Sequence, residues 1–203
     1  MAADTRDRIL TAATSLYAAP EAGGPALRAI ARAGGVNSAL IHYHFGSREG
    51  LLEAVLLRAL EPVQARRGPM IEKLKAGGSA DGQDLAALCV DPIASLPRDE
   101  DFGPAPALRL LARALAEDRT RLDRLTVQHF PPMLFALRDV LSTALPALSA
   151  RAKQRRFRFA VDAAVTTLAG DEATASYAAG PESFGDFVHD LTAFLAGALD
   201  AAE

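Results

Sequence analysis

Asn37, Ser38, His42 and Tyr43 lie close together in the chain, and their side chains are short or aromatic polar groups suited to hydrogen bonds with phosphates and base edges. On a helix over 37–44 they share an outward side, where Ala39 adds an apolar contact of the kind a thymine methyl accepts. His42 and His44 are two residues apart, which on a helix sends them to different faces, so no metal site is expected. The one cysteine, Cys89, stands between Leu88 and Val90 and reads as an inert small hydrophobe. Arg151, Lys153, Arg155, Arg156 and Arg158 form the densest basic run. Taken alone it could form a second nucleic-acid patch, but it reads rather as the solvated side and start of a dimer helix, paired with acidic residues such as Asp162, Asp186 or Asp190, although the dipole at a helix N-terminus disfavours cations. There is no Glu-x-x-His pair, G-x-S-x-G elbow, phosphate loop or Cys/His cluster. No catalytic residue, metal or cofactor is therefore expected.

The elements that would hold these groups are all helical. Strand patterns are nearly absent, while Ala, Leu, Arg and Glu abound. A first helix is predicted from Asp4 or Thr5 to Pro20, with Ile9, Leu10, Ala13, Leu16 and Tyr17 on its buried face. A second opens with Pro25 in its first position, turns Leu27, Ile30 and Ala31 inward, and stops at Gly34 and Gly35. A third follows with Val36, Leu40 and Phe45 inward, and Ser47 caps a fourth through Leu51, Leu52, Val55, Leu56 and Leu60. Ala31, Gly35 and Val36 supply the close contact, the left-handed turn residue and the buried apolar group that a helix-turn-helix needs.

Beyond residue 60 the pattern is a larger bundle. Pro62 and the Gly68-Pro69 pair are expected to kink or split the fourth helix, and GGSADGQD at 77–84 reads as a linker. Further helices are predicted at 85–96, 105–117, 119–145 with a kink or break at Pro131-Pro132, 151–169 and 183–200, about nine in all. With 203 residues, 50% of them hydrophobic, the chain can build a sizeable core. No secretory leader and no run of 18 apolar residues is seen, so neither export nor membrane insertion is expected and the chain reads as cytoplasmic. The net charge of -3 hides a division: the first 50 residues carry +1 and the remainder -4.

The stretch TRDRILTAATSLY, then LRAIARAGGVNSALIHYHFGSREGLLEAVLLR, resembles the TetR family of bacterial transcriptional regulators over about residues 5–58. Its most specific part is the Gly35-Val36 turn followed by Tyr43 through Glu49 and Leu51. The resemblance implies an N-terminal DNA-binding domain at 1–48 and an effector-binding and dimerisation domain at 49–203. It further implies a homodimer on a palindromic operator of double-stranded DNA, more often repressing than activating, released by a small molecule. Arg28 and Arg48 match positions that in the family often meet the DNA backbone. Two positions depart from the pattern. His42 stands where members usually have tyrosine, and a protonated histidine there predicts DNA affinity that varies between about pH 6 and 8. Pro25 and Ala26 replace the usual threonine or serine, so that phosphate contact is not carried over.

Two apolar stripes suggest a dimer seam. Phe157, Val161, Ala164, Val165 and Leu168 form one; Phe184, Phe187, Val188, Leu191, Phe194, Leu195 and Leu199 form the other. Arg113, His129, Phe130 and Met133 are the candidate effector contacts, with Phe102, Leu110, Phe135 and Tyr177 beside them, because a helix broken at Pro131-Pro132 packs imperfectly. The rival readings are a helical enzyme or small-molecule carrier, and a helix-turn-helix used for protein contact alone.

Overall fold

In the computed structural model, which describes residues 2–19, 24–98 and 106–200, the chain is all-α, with eleven helices and no strand among those residues. The first, α1 (Ala2–Ala18), begins upstream of the predicted Asp4 or Thr5, and Asp4 lies within its first turn, where an acid favours the dipole. α2 (Leu27–Ala33) starts two residues after Pro25, with Ala26 as an N-cap that makes no side-chain bond. α3 (Ser38–Phe45) and α4 (Arg48–Gly77) follow. Ile9, Leu10 and Ala13 of α1, Ile30 and Ala31 of α2, Ile41 of α3 and Leu51 and Val55 of α4 are buried and belong to one core cluster.

The expected kink or split of α4 does not occur; the helix runs unbroken through Pro62 and Pro69. Each proline deletes one backbone bond at a cost of about 3 kcal/mol. Against this, α4 buries nine residues, and neither proline is among them. Hydrophobic burial of a single aliphatic side chain contributes about 1.5–3 kcal/mol, so packing along the helix outweighs both breaks.

α5 (Gly82–Ala94) opens on a capping box in which Asp81 and Asp84 satisfy each other's backbone amides. It is buried along its length at Leu85, Leu88, Cys89, Val90 and Ile93 and packs against α4, α9 (Ala150–Leu168) and α11 (Pro181–Asp200). Between α5 and α9 come α6 (Pro106–Glu117), α7 (Arg119–His129) and α8 (Pro131–Ala144). Of the kink or break predicted at Pro131-Pro132, the structure has the break: Phe130 closes α7 and caps α8. The short α10 (Asp171–Ala179), with only Ala173 buried, was not anticipated; it and the division of 119–145 account for eleven helices instead of nine.

Candidate nucleic-acid interface and ligand cavity

The turn between α2 and α3 is set by backbone chemistry. Gly35 has φ +60, a conformation that costs an L side chain about 1–2 kcal/mol. The amide of Val36 returns to the Ala31 carbonyl at 2.9 Å. Arg8 of α1 ties this turn down, donating from Nη2 to the carbonyls of Gly34 and Gly35, each at 2.7 Å.

Asn37 is the N-cap of α3: its Oδ1 accepts from the Ala39 amide at 2.9 Å, which leaves its NH2 as the donor available to an exterior partner. Ser38 is half-buried, and Ala39 and His42 are exposed. Tyr43 is 81% exposed. The inward residue is Ile41, wholly buried, and not the expected Leu40, which is 36% exposed. An eight-residue helix held between α2 and α4 buries one narrow side, and that side carries Ile41 and, one turn on, the half-buried Phe45. Tyr43, one of the two aromatic residues flanking His44, lies edge-on to the His44 ring with centroids 5.1 Å apart.

His42 Nδ1 lies 3.3 Å from the Gly46 carbonyl. A carbonyl only accepts, so Nδ1 carries the proton in this contact, and Nε2 becomes a donor only when the ring is protonated. Gly46, at φ +72, closes α3 by donating to His42 O. Ser47 caps α4 as expected, accepting from Gly50 N at 3.0 Å. Arg48 begins α4 and Arg28 lies on α2, both exposed.

A cavity of about 670 Å³ lies among α4, α5, α6, α7, α8 and α9. That is within the usual range for small-molecule sites. Leu111, Leu122, Leu137 and Phe157 give it apolar walls. Of the predicted effector contacts, Met133 lines it, whereas Arg113, His129 and Phe130 do not. Arg113 turns from α6 to the end of α1, donating to the carbonyls of Tyr17 and Ala19, and pairs with Glu117. The last four carbonyls of a helix lack internal partners, and a guanidinium on another helix satisfies that of Tyr17 here, together with the Ala19 carbonyl just beyond the helix. His129 is exposed at the end of α7, and Phe130 is half-buried in the α7–α8 joint. Leu110 is core, Phe135 is 62% exposed, and Tyr177 packs edge-on to Phe184. Phe102 lies outside the described residues.

The polar wall was not foreseen. Six arginines and one aspartate line the cavity: Arg67, Arg119, Arg138, Arg151, Arg155, Arg158 and Asp123. Arg119 is matched by Asp123 at 3.0 Å and by Asp162. Arg67 is only 5% exposed; its Nε donates to Leu88 O at 2.9 Å and its Nη1 to Gln64 Oε1 at 3.3 Å, while Nη2 has no hydrogen-bond partner. The Leu88 carbonyl is free for this contact because the residue four places on, Pro92, has no N–H to offer it. Burial depresses the Arg67 pKa, but a guanidinium stays charged in proteins. Burial likewise pushes the Cys89 thiol up to about 12, so this neighbour supplies no negative charge. Two sequence signals pointed here: an arginine within the apolar stripe Leu60, Val63, Ile71 of α4, and a proline inside a buried helix.

The basic run on α9 also differs from expectation. Arg151, Arg155 and Arg158 border the cavity instead of pairing with Asp162, Asp186 or Asp190, while Arg156 donates to Leu199 O at 3.2 Å. Among the predicted seam residues, Phe157 and Val165 are buried within the chain itself and, with Val161, face the cavity. Leu195 is 3% exposed. The stripe on α9 therefore serves the fold of one chain, because its positions repeat with the period that faces α8 and α5. Outward apolar surface remains at Phe194, 72% exposed, and Phe159, 57% exposed, with Phe187 and Leu191 half-buried on α11. No helix of the described residues is long and apolar enough to cross a membrane, and no group of three or more His, Cys, Asp or Glu among them could hold a metal.

The arrangement has close likenesses. The family model described as "Bacterial regulatory proteins, tetR family" matches residues 9–55, and that described as "Tetracyclin repressor-like, C-terminal domain" matches residues 87–198. No curated protein matches significantly. A TetR-family transcriptional regulator from Rhodococcus sp. shares the fold at 22% identity and TM-score 0.57, over 98% of this chain and 97% of its own. One from Mesorhizobium loti does so at 18% identity and TM-score 0.53, over 96% and 98%. The fatty acid degradation regulator FadR from Bacillus halodurans superposes with TM-score 0.54 at 15% identity, over 97% and 99%. Matched at both its reading head and its bundle, the chain belongs to the TetR family of bacterial transcriptional regulators, non-enzymatic proteins that bind DNA through a helix-turn-helix.

Proposed function

We propose that this protein is a cytoplasmic, homodimeric repressor that binds a palindromic operator and is released when a small molecule enters the cavity of the bundle. Residues 1–48 act as the DNA-binding part and 49–203 as the effector and dimerisation part. The observation that carries the reading is the face of α3: Ile41 is wholly buried while Ala39, His42 and Tyr43 stand outward. Arg28, His42, Tyr43 and Arg48 bind phosphates, and Asn37, Ser38 and Ala39 meet base edges in the major groove.

Dimerisation rests on the outward residues of α11, above all Phe194, with Phe187 and Leu191 beside it. The lever between sites is α4. It begins at the Ser47 cap beside the reading helix and contributes Leu60, Val63, Gln64 and Arg67 to the cavity wall. Arg58 of α4 also holds α1, bonding Thr11 Oγ1 at 3.1 Å and pairing with Asp7 at 3.0 Å. A ligand that prefers the arrangement with the two heads wrongly spaced weakens DNA binding by its differential affinity for that state.

The test is selection of genomic fragments bound by the purified protein at physiological salt with scrambled competitor. A palindrome with half-sites near one helical turn apart, or a multiple of it, is expected. Failure to enrich any site, with the protein folded, would sink the repressor reading. Arg48→Ala weakens binding across sequences, whereas substitutions at Ser38 change the preferred bases.

A further inference from the structure

We infer that the effector is an amphipathic organic anion whose carboxylate head is bound by Arg67, with its apolar body along the leucine and phenylalanine walls. The inference rests on the ligand-release reading and names the chemistry of that same cavity. Arg67 is a buried guanidinium with no carboxylate beside it among the described residues; its only polar partners are a carbonyl and an amide oxygen, both neutral. A charge removed from water is stable only when paired, so the site is complementary to an incoming anion. Nε is held on the Leu88 carbonyl that Pro92 leaves open and Nη1 on Gln64, while Nη2, itself buried beside the cavity, has no hydrogen-bond partner among the described residues. With Gln64 Oε1 turned to Arg67, the Gln64 NH2 remains as a second donor on the same wall.

The rim adds to this. Arg138, Arg151, Arg155 and Arg158 are exposed, border the cavity, and form no ion pair with a described residue. Their summed field draws anions toward the opening, and being exposed it is screened by salt, unlike the buried Arg67 contact. The placement of this run at the start of α9, unfavourable to the helix dipole, is thereby accounted for. A cation in the cavity would meet five uncompensated arginines, and a neutral ligand would leave Arg67 unpaired.

The experiment compares decanoate, 1-decanol and decyltrimethylammonium by displacement of 8-anilino-1-naphthalenesulfonate fluorescence, on the full-length protein at 0.15 M and 0.5 M salt. Decanoate should bind about 10- to 100-fold more tightly than decanol, the worth of a charged hydrogen-bonded contact, with most of the preference surviving high salt. Arg67→Met should abolish that preference, decanoate then binding no more tightly than decanol. Arg155→Gln/Arg158→Gln should retain it and show a weaker salt dependence. The wild-type comparison stands even where Arg67→Met fails to fold. Equal affinity for decanoate and decanol in the wild-type protein overturns the anion inference while leaving a ligand cavity in place. A preference lost in the rim variant but kept in Arg67→Met overturns the assignment to Arg67. Absence of binding by any of the probes overturns the inference and the ligand-release reading together, whereas operator selection tests the DNA reading independently.

Discussion

Replacing Arg113 by methionine separates a strap between helices from a ligand contact. In the structure this guanidinium, with a side chain only 18% exposed, donates to the carbonyls of Tyr17 and Ala19 at the end of α1. Two bonds from a charged donor, discounted for partial exposure, contribute about 2–3 kcal/mol together. The ion pair with Glu117, whose side chain is 61% exposed, adds no more than about 0.5 kcal/mol. Methionine keeps the apolar stem and removes the donors. For a chain of this size each kcal/mol moves Tm by about 2–4 °C, so a fall of about 4–12 °C is expected by circular dichroism. Decanoate and decanol affinities should stay within about twofold, since the residue does not line the cavity. A Tm lowered by less than about 2 °C, together with tenfold weaker probe binding, would refute this reasoning and return Arg113 to the ligand site.

Gly35→Ala should cost about 1–3 kcal/mol of stability in urea unfolding, because φ is +60 and the added Cβ would stand 2.6 Å from Arg8 Nη2; an unchanged midpoint would contradict the strained turn. Cys89 should react with a disulfide reagent at pH 8 at least about 10³-fold more slowly in the native protein than in urea, given a thiol at about 12 and full burial. Fast native labelling would show that α5 opens readily. Phe194→Asp should leave the Tm of the protomer fold within about 2 °C and yield a monomer in sedimentation velocity, and persistence of a dimer would place the seam elsewhere.

The local features proved readable because local physics sets them. Ser47 as a cap, Gly35 in a left-handed turn and the break at Pro131 each follow from one residue's own stereochemistry. The reading head was recognisable for the same reason, its motif being short and contiguous. Phase and length were harder. Leu40 and Ile41 are adjacent and similarly apolar, and only the neighbouring helices decide which one is buried. The prolines of α4 carry a real local penalty, but it is overridden by packing spread over 30 residues.

By itself the sequence determined the helical class, the helix-turn-helix with its outward polar residues, and the inert setting of Cys89, since each depends on spacings of a few residues. Tertiary structure alone decided what the arginines do. Arg67 comes from α4, and Arg138, Arg151, Arg155 and Arg158 from the consecutive helices α8 and α9 much later in the chain; they meet around one cavity, whereas Arg113, expected there, reaches across to α1. A guanidinium on a long flexible stem has no preferred partner in its own helix, so its role is set by whichever carbonyl, carboxylate or opening the packed neighbours bring within reach.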